Sequence, residues 1–223
     1  MILEVCAYNI QSCLIAEKAG ASRIELCADP LLGGTTPSYG LLEYAIEHIA
    51  IPVFPMIRPR GGNYVYDADE LAIMQKDILA CRRLGYKGIV TGAQLLDGRI
   101  NTDQLKRLIE CAGTMAVTCH KVFDSTPDAF AALEDLIAAG CSRVLTSGLE
   151  KTATEGAALL SQLITQAAGR IIIMPGGGVR SSNIAHVAET TGAKEFHSSA
   201  IVARASNNIA DEREIRLIVQ QLQ

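Results

Sequence analysis

Short apolar runs alternate with longer amphipathic stretches along the whole chain. The apolar runs predict β-strands at roughly 2–6, 23–27, 53–58, 87–91, 115–120, 142–147, 171–174 and 194–198. The stretches between them carry apolar residues at helical spacing and predict helices at roughly 9–19, 38–49, 68–84, 102–111, 127–139, 154–167, 181–191 and 210–222. Strict strand-helix alternation predicts a parallel sheet with right-handed crossovers. Eight such units predict that the sheet closes into a single (β/α)8, TIM-type barrel.

Length and composition narrow the class of protein. A chain of 223 residues matches one compact barrel, so we expect a single domain over residues 1–223. The net charge is −4 without any long basic block, which argues against a nucleic-acid partner. No apolar run is long enough to cross a bilayer, and no basic leader with a cleavage site is visible. We therefore expect a cytoplasmic protein with no membrane association.

The chain has seven cysteines and no C-x-x-C pair. In a reducing compartment such thiols usually behave as small buried hydrophobes. Four of them fit this expectation because they lie within or beside helical patterns, namely Cys13, Cys81, Cys111 and Cys141. Cys6, Cys27 and Cys119 instead lie at the predicted ends of strands.

Polar, reactive or glycine residues close all the predicted strands. The carboxyl ends of the strands in a parallel barrel converge on one mouth, where residues distant in sequence build a single site. The loops at 28–38 and 59–66 are longer than the barrel requires, which is typical of binding loops. We therefore expect the functional site at this mouth.

Side-chain alternation divides the first strand into two faces. Leu3 and Val5 are expected to meet helices, so Glu4 and Cys6 are expected to point into the barrel. The second strand repeats the pattern, with Arg23, Glu25 and Cys27 inside. Neighbouring strands lie about 4.8 Å apart, so we expect the two thiols to be close, with the carboxylates one layer deeper.

Buried carboxylates need partners, because an unpaired charge is costly inside a protein. Arg58 or Arg60, His120 and His197 are the candidates near the same level. One interpretation is acid-base chemistry, and the other is an ion-pair core that only supports the barrel. The resulting candidate catalytic residues are Glu4, Glu25, Arg58, His120 and His197.

The predicted position of the lysines disfavours an imine-forming aldolase. Lys87 and Lys194 begin their strands at the far end of the barrel, and Lys121 has the outward parity of Cys119. A Schiff-base mechanism needs a desolvated lysine in the pocket.

A glycine-rich loop follows the seventh predicted strand. In this fold the loops after strands seven and eight commonly bind phosphate through backbone amides. By that analogy the candidate phosphate-binding residues are Gly176, Gly177, Gly178, Ser198 and Ser199. The alternative is that the three glycines only make a tight turn.

Several motifs together resemble the CutC family, which is named for copper homeostasis. They are Glu4-Val5-Cys6, residues 23–27, 33–38, 59–62, 118–124 and 145–148, and Gly176-Gly177-Gly178. The resemblance implies a TIM-type barrel, a cytoplasmic oligomer expected to be a homodimer, and Cu(I) binding by Cys6 and Cys27. The chain departs from the family pattern at Thr35, at Asn63-Tyr64, and at Cys119, Lys121 and Val122. A lysine at position 121 cannot bind an anion in the bidentate manner of an arginine.

Two functions remain open from the sequence. Paired thiolates are soft ligands suited to Cu(I), and His120 is a candidate third donor. The alternative is a lyase or isomerase on a small phosphorylated or carboxylated substrate, with Glu4 or Glu25 and His120 as acid and base and an arginine holding the anion. The polar barrel interior favours the enzyme, and the family resemblance favours copper. Cys6 and Cys27 are also compatible with two plain core thiols.

Overall fold

Eight strands alternate with eight helices in the computed structural model, which describes residues 1–202 and 208–223. The strands are β1 Ile2–Ala7, β2 Arg23–Leu26, β3 Val53–Pro55, β4 Gly88–Thr91, β5 Ala116–Cys119, β6 Arg143–Thr146, β7 Ile172–Pro175 and β8 Glu195–Ser198. The helices are α1 Ile10–Lys18, α2 Tyr39–His48, α3 Ala68–Leu84, α4 Thr102–Ala112, α5 Ala129–Ala139, α6 Ala157–Ala167, α7 Ile184–Thr191 and α8 Glu212–Gln221. Every predicted element is present.

The strands form a closed parallel barrel. Hydrogen bonds define two four-stranded sheets, in the orders β3-β2-β1-β8 and β4-β5-β6-β7. A parallel bridge between Met56 and Val90 joins β3 to β4 at one seam, and β7 packs beside β8 at the other. The predicted (β/α)8 architecture is confirmed.

Local signals explain most of the helix boundaries. The Ser38 side chain accepts a hydrogen bond from the Leu41 amide at the start of α2. Gly85 ends α3 with φ 90°, a left-handed conformation that costs glycine little. The predicted start of α5 at residue 127 was two residues early, because Asp128 caps this helix.

Strand alternation places an apolar layer between the barrel and the helices. Leu3, Val5, Ile24 and Leu26 lie in this layer and are fully buried. The opposite parity of β1 and β2 faces the barrel interior, as predicted. The helices thus cover the outside of the barrel and leave its interior free for polar residues.

An ion network fills the lower part of the barrel interior. Arg23 binds Glu4 at 2.5 Å and Glu195 at 2.6 Å, and Arg143 binds Glu195 at 3.2 Å. The ring of Phe54 lies 5.2 Å from the Arg23 guanidinium carbon and 5.3 Å from that of Arg143. Cation–π contact of this kind adds to the charge pairing. This layer supports the site above it.

Gly88 leaves the space that Phe54 occupies, since a Cβ at this position would overlap the ring. We predict that Gly88→Ala lowers the free energy of unfolding by about 1–3 kcal/mol, because the buried ring cannot move without disturbing both arginines. Urea denaturation measures this change. Gly40→Ala is the matched control, since nothing lies within 4 Å of its added Cβ, and a helical Gly→Ala change is neutral or stabilises by up to about 1 kcal/mol. Equal stability of the two variants would contradict the prediction.

No helix of the described residues is long and apolar enough to cross a membrane.

Candidate functional site

A cavity of about 220 Å³ opens at the carboxyl ends of the strands. The strand ends and the turns that follow them supply its wall, as the barrel topology predicts. All five candidate catalytic residues except Glu4 line it, together with one of the two candidate thiols and one lysine. Its polar lining residues include Cys6, Glu25, Arg58, His120, Lys121 and His197.

The two predicted thiols lie side by side. Cys6 is in β1 and Cys27 directly follows β2, and their Sγ atoms are 4.0 Å apart. The Cys27 sulfur also lies 3.6 Å from Oε2 of Glu25. Both cysteines are buried, and Cys6 lies on the cavity wall.

His197 lies between two carboxylates. Its Nδ1 is 2.8 Å from Oε1 of Glu4, and its Nε2 is 3.7 Å from Oε2 of Glu25. The β1–β8 register sets this contact, because Glu4 is directly opposite His197. Burial by itself lowers the pKa of His197, but the Glu25 charge and the hydrogen bonds to Cys6 and Glu4 raise the pKa well above 6.5. His197 is therefore an imidazolium oriented by Glu4.

The two carboxyls of this group have opposite pKa shifts. Burial raises the pKa of Glu4, but the hydrogen bond from His197 and the charge of Arg23 outweigh it and hold the pKa at about 2. Glu25 has no arginine partner among the described residues. Burial and the nearby Cys6 charge raise the pKa of Glu25 well above 4.5. Two carboxyls whose pKa values are shifted in opposite directions can serve as a fixed anion and a proton donor.

The thiols are also distinguished by their surroundings. A hydrogen bond from Cys27, followed by one from His197, lowers the pKa of Cys6 well below 9.0 in spite of burial. The same hydrogen bond and burial raise the pKa of Cys27 well above 9.0. Either sulfur could donate across the 4.0 Å contact, and we assign the thiolate to Cys6 because it also contacts the imidazolium. These opposite pKa shifts favour a thiolate at Cys6 and a thiol at Cys27.

His120 lies on the other side of the cavity. Its ring packs against Tyr64 with 4.7 Å between ring centroids, and its Nδ1 accepts a hydrogen bond from the Val122 amide at 3.2 Å. Two groups in the described chain are compact enough to hold a metal ion, namely Cys6–Glu25–Cys27 and Glu4–Glu25–His197. His120 belongs to neither, so the structure does not support its predicted role as a third copper donor.

The two arginines after β3 differ in position. The predicted strand 53–58 was too long, because the regular ladder ends at Pro55 and Arg58 lies in the loop beyond it. Arg58 is buried and faces the cavity. Arg60 instead pairs with Glu70 near the surface and is not a cavity residue. Of the two, only Arg58 is placed to bind a ligand there.

The predicted outward orientation of Lys121 was wrong. The chain leaves β5 at Cys119 and enters a 3-10 turn at Lys121–Ser125, so strand alternation no longer applies. Lys121 lines the cavity and pairs with Asp124 at 3.4 Å. The geometric argument against a lysine at the mouth therefore fails, while Cys119 remains in the core as its parity predicted.

A second cavity of about 170 Å³ adjoins the first. Four of the five predicted phosphate-binding residues line it, namely Gly177, Gly178, Ser198 and Ser199. Gly176 lies underneath, packed against Leu145 and His197. The predicted helix start beyond the loop is shifted, since α7 begins at Ile184 and the side chain of Asn183 does not cap it.

Sequence reasoning did not identify Arg180 in this second cavity. Its NH1 donates to Ser198 Oγ at 3.1 Å and its NH2 to Ser199 Oγ at 3.3 Å. The available signal was its position directly after the glycine loop. Asp124 was missed as well, although it anchors the end of β6 by accepting from the Thr146 hydroxyl and the Ser147 amide.

Comparison with known proteins identifies the family. Residues 1–202 match the model of the CutC family. The chain belongs to the CutC family. A family protein CutC from Chromobacterium violaceum is 49% identical over 199 residues, which cover 89% of this chain and 81% of that protein. The copper homeostasis protein cutC homolog of Mus musculus is 45% identical over 205 residues, covering 92% of this chain and 75% of the mouse protein.

Solved structures agree with this assignment. The crystal structure of CutC from Streptococcus agalactiae has 35% sequence identity and a TM-score of 0.85, and the match covers 89% of this chain and 98% of that one. An N-(5'-phosphoribosyl)anthranilate isomerase from Pyrococcus furiosus has a TM-score of 0.63 at 16% identity, covering 100% of this chain and 98% of that one. That second likeness shows the barrel fold alone. The CutC-family match includes the strand-end cysteines within residues 1–202.

Proposed function

We propose that this CutC-family protein binds Cu(I) through Cys6 and Cys27. The observation that carries the proposal is the pair of sulfur atoms 4.0 Å apart at the barrel mouth. Thiolates are the soft ligands that select Cu(I). The copper homeostasis name of the mouse relative agrees with this chemistry.

The donor set fits such an ion. A metal–thiolate bond is about 2.3 Å long, so two sulfurs at the observed separation can bind one ion without a large movement. The contacts of Cys6 with Cys27 and His197 lower its pKa and so favour the thiolate. Metal binding then releases the remaining thiol proton from Cys27. Plain core thiols would not require these charged neighbours.

We also propose that the whole chain is one cytoplasmic domain that forms a homodimer. Reduced thiols persist in the cytoplasm, which supports that location. The dimer rests on the family resemblance.

Cys6→Ala and Cys27→Ala test the copper site. Under anaerobic competition with a colorimetric Cu(I) chelator, we expect the wild-type protein to bind one Cu(I) and each variant to lose this binding, because a single sulfur remains. Cys141→Ala is the matched control, since this buried thiol lies at the end of α5 in the apolar core. Wild-type affinity in the double variant would disprove the proposal.

A second candidate function is acid-base catalysis at the same mouth. The specific observation is His197, which Glu4 orients and which lies 3.7 Å from the carboxyl of Glu25. The adjoining cavity offers the Gly177–Gly178 backbone and Arg180 to a phosphate. We propose a lyase or isomerase on a small phosphorylated or carboxylated substrate. Turnover of a panel of such metabolites by the metal-free protein, lost in Glu25→Gln, is the test.

A further inference from the structure

Unpartnered buried polar atoms are concentrated in the residues that line the main cavity. Buried side-chain nitrogen and oxygen atoms are nearly always hydrogen-bonded in proteins. Five such atoms in the described part of the chain have no partner, and three of them belong to cavity residues, namely Glu25 Oε1, Arg58 Nε and His120 Nε2. Glu25 belongs to the thiol side. Arg58 and His120 belong to neither candidate metal group.

The hydrogen bonds of His120 determine where its proton is. Nδ1 accepts from the Val122 amide, and the Nδ1–Cε1 edge of the ring packs against Gly92. Burial, together with the charge of Arg58, lowers the pKa of His120 to about 3, so the ring is neutral near pH 7. A neutral imidazole with an accepting Nδ1 carries its proton on Nε2. The unpartnered Nε2 is therefore a donor.

Arg58 offers a second donor and a charge. Its NH1 donates to the Leu32 and Gly34 carbonyls and its NH2 to the Gly62 carbonyl, at 2.6, 2.9 and 2.8 Å. The guanidinium packs over the Tyr64 ring at 4.7 Å, and the same ring contacts His120. These contacts fix the group and leave Nε–H unused. Within the described ranges, this buried cation pairs with no carboxylate of the protein.

We propose that Arg58 and His120 form a binding site for the carboxylate of a small organic acid. A buried cation without a counterion favours an anion, and two N–H donors match the oxygens of a carboxylate. The same donors and charge disfavour a metal ion here. A volume of about 220 Å³ is below the usual range for drug-sized ligands and suits a molecule of a few carbon atoms.

This inference deepens the second proposed function by naming its substrate class, and it is tested by binding alone. Isothermal titration calorimetry on metal-free protein would use glycolate, pyruvate, malonate and 2-phosphoglycolate, with inorganic phosphate as a probe without a carboxylate. We expect one saturable site for at least one of the acids. Failure of catalysis with retained binding would remove the enzyme and keep the site.

Two substitutions at one position separate the roles of the imidazole nitrogens. His120→Asn keeps an acceptor for the Val122 amide, but its NH2 group does not reach the Nε2 position, and we expect it to weaken acid binding about tenfold. His120→Gln can place an N–H near the Nε2 position and should stay within about threefold of wild type. His186→Asn, an exposed histidine of α7, is the matched control. Equal binding by the Asn variant and the wild type would overturn the proposal.

A measurement on the unmodified protein covers the case of misfolded variants. In spectra of protein labelled with ¹⁵N-histidine, addition of the bound acid should shift the His120 Nε2 resonance and leave that of His186 unchanged. Absence of saturable binding by every acid tested would show that the two donors do not form a carboxylate site.

Discussion

Arg23→Met is expected to lower the free energy of unfolding by about 3–5 kcal/mol, because it removes one partner from a buried charge network. The substitution leaves Glu4 without its guanidinium and removes the closer of the two arginines that bind Glu195. Both carboxylates are nearly inaccessible to water, with exposed fractions of 0% and 6%. Methionine has a similar length, so lost packing contributes little. Urea denaturation at pH 7 measures the change.

Arg170→Met is the matched control for this experiment. Arg170 also binds a glutamate, Glu134, but both side chains are more than 40% exposed. Exposed pairs contribute about 0–1 kcal/mol, so this variant should be nearly as stable as the wild type. Adding Glu4→Gln to Arg23→Met should restore part of the lost stability, since one uncompensated charge disappears. Similar losses in the two arginine variants would contradict the role assigned to the network.

The sequence predicted the faces of the first two strands correctly, including the inward orientation of Glu4 and Cys6. This succeeded because apolar residues at every second position must meet the helices. Because Glu4 was predicted to face the barrel interior, the sequence also predicted that it needs a cationic partner. Its main partner, Arg23, was placed in the barrel interior but not recognised as the partner. That choice depends on the registers of β1 with β2 and β8, which a single sequence does not specify.

The different positions of the two histidines could not be predicted either. Both were predicted at inward-facing positions near strand ends, but the chain turns away after Cys119, and His120 packs against Tyr64, which also contacts Arg58. His197 stays within β8, so it remains in the layer of Glu4 and Glu25. Alternation of side chains holds only inside a strand. The prediction for Lys121 was wrong because this residue lies beyond the end of β5. Which loop residues line the barrel mouth cannot be predicted from strand alternation.

The residues around the cavity therefore form two chemically different groups. The thiols, Glu25 and His197 offer soft ligands and movable protons on β1, β2 and β8. Arg58 and His120 offer fixed N–H donors on the loops after β3 and β5. We propose a soft cation at the first group and an organic acid at the second. Two ligands of this kind would account for a barrel interior that contains more polar residues than copper binding alone requires.

Cys6 is expected to react with iodoacetamide at a lower pH than the other thiols of the metal-free protein. The hydrogen bond from Cys27 and the contact with His197 lower the pKa of Cys6, and a lowered pKa keeps the reactive thiolate present as the pH falls. Burial raises the pKa of Cys111, which is partly exposed on α4, so its thiolate fraction falls about tenfold for each pH unit below its pKa. The ratio of the Cys6 rate to the Cys111 rate should therefore rise as the pH is lowered from 8 to 6.

Peptide mass spectrometry of timed alkylation reactions gives both rates in one sample, and the change in their ratio with pH cancels the constant difference in access between the two thiols. Cys27→Ala removes the donor to Cys6, so the Cys6 rate should fall more steeply as the pH is lowered. Cys141→Ala should leave the profile of Cys6 unchanged, because this thiol packs only in the apolar core. Parallel pH profiles for Cys6 and Cys111 in the wild-type protein would show that Cys6 is an ordinary thiol, and the thiolate assigned to the barrel mouth would then be wrong.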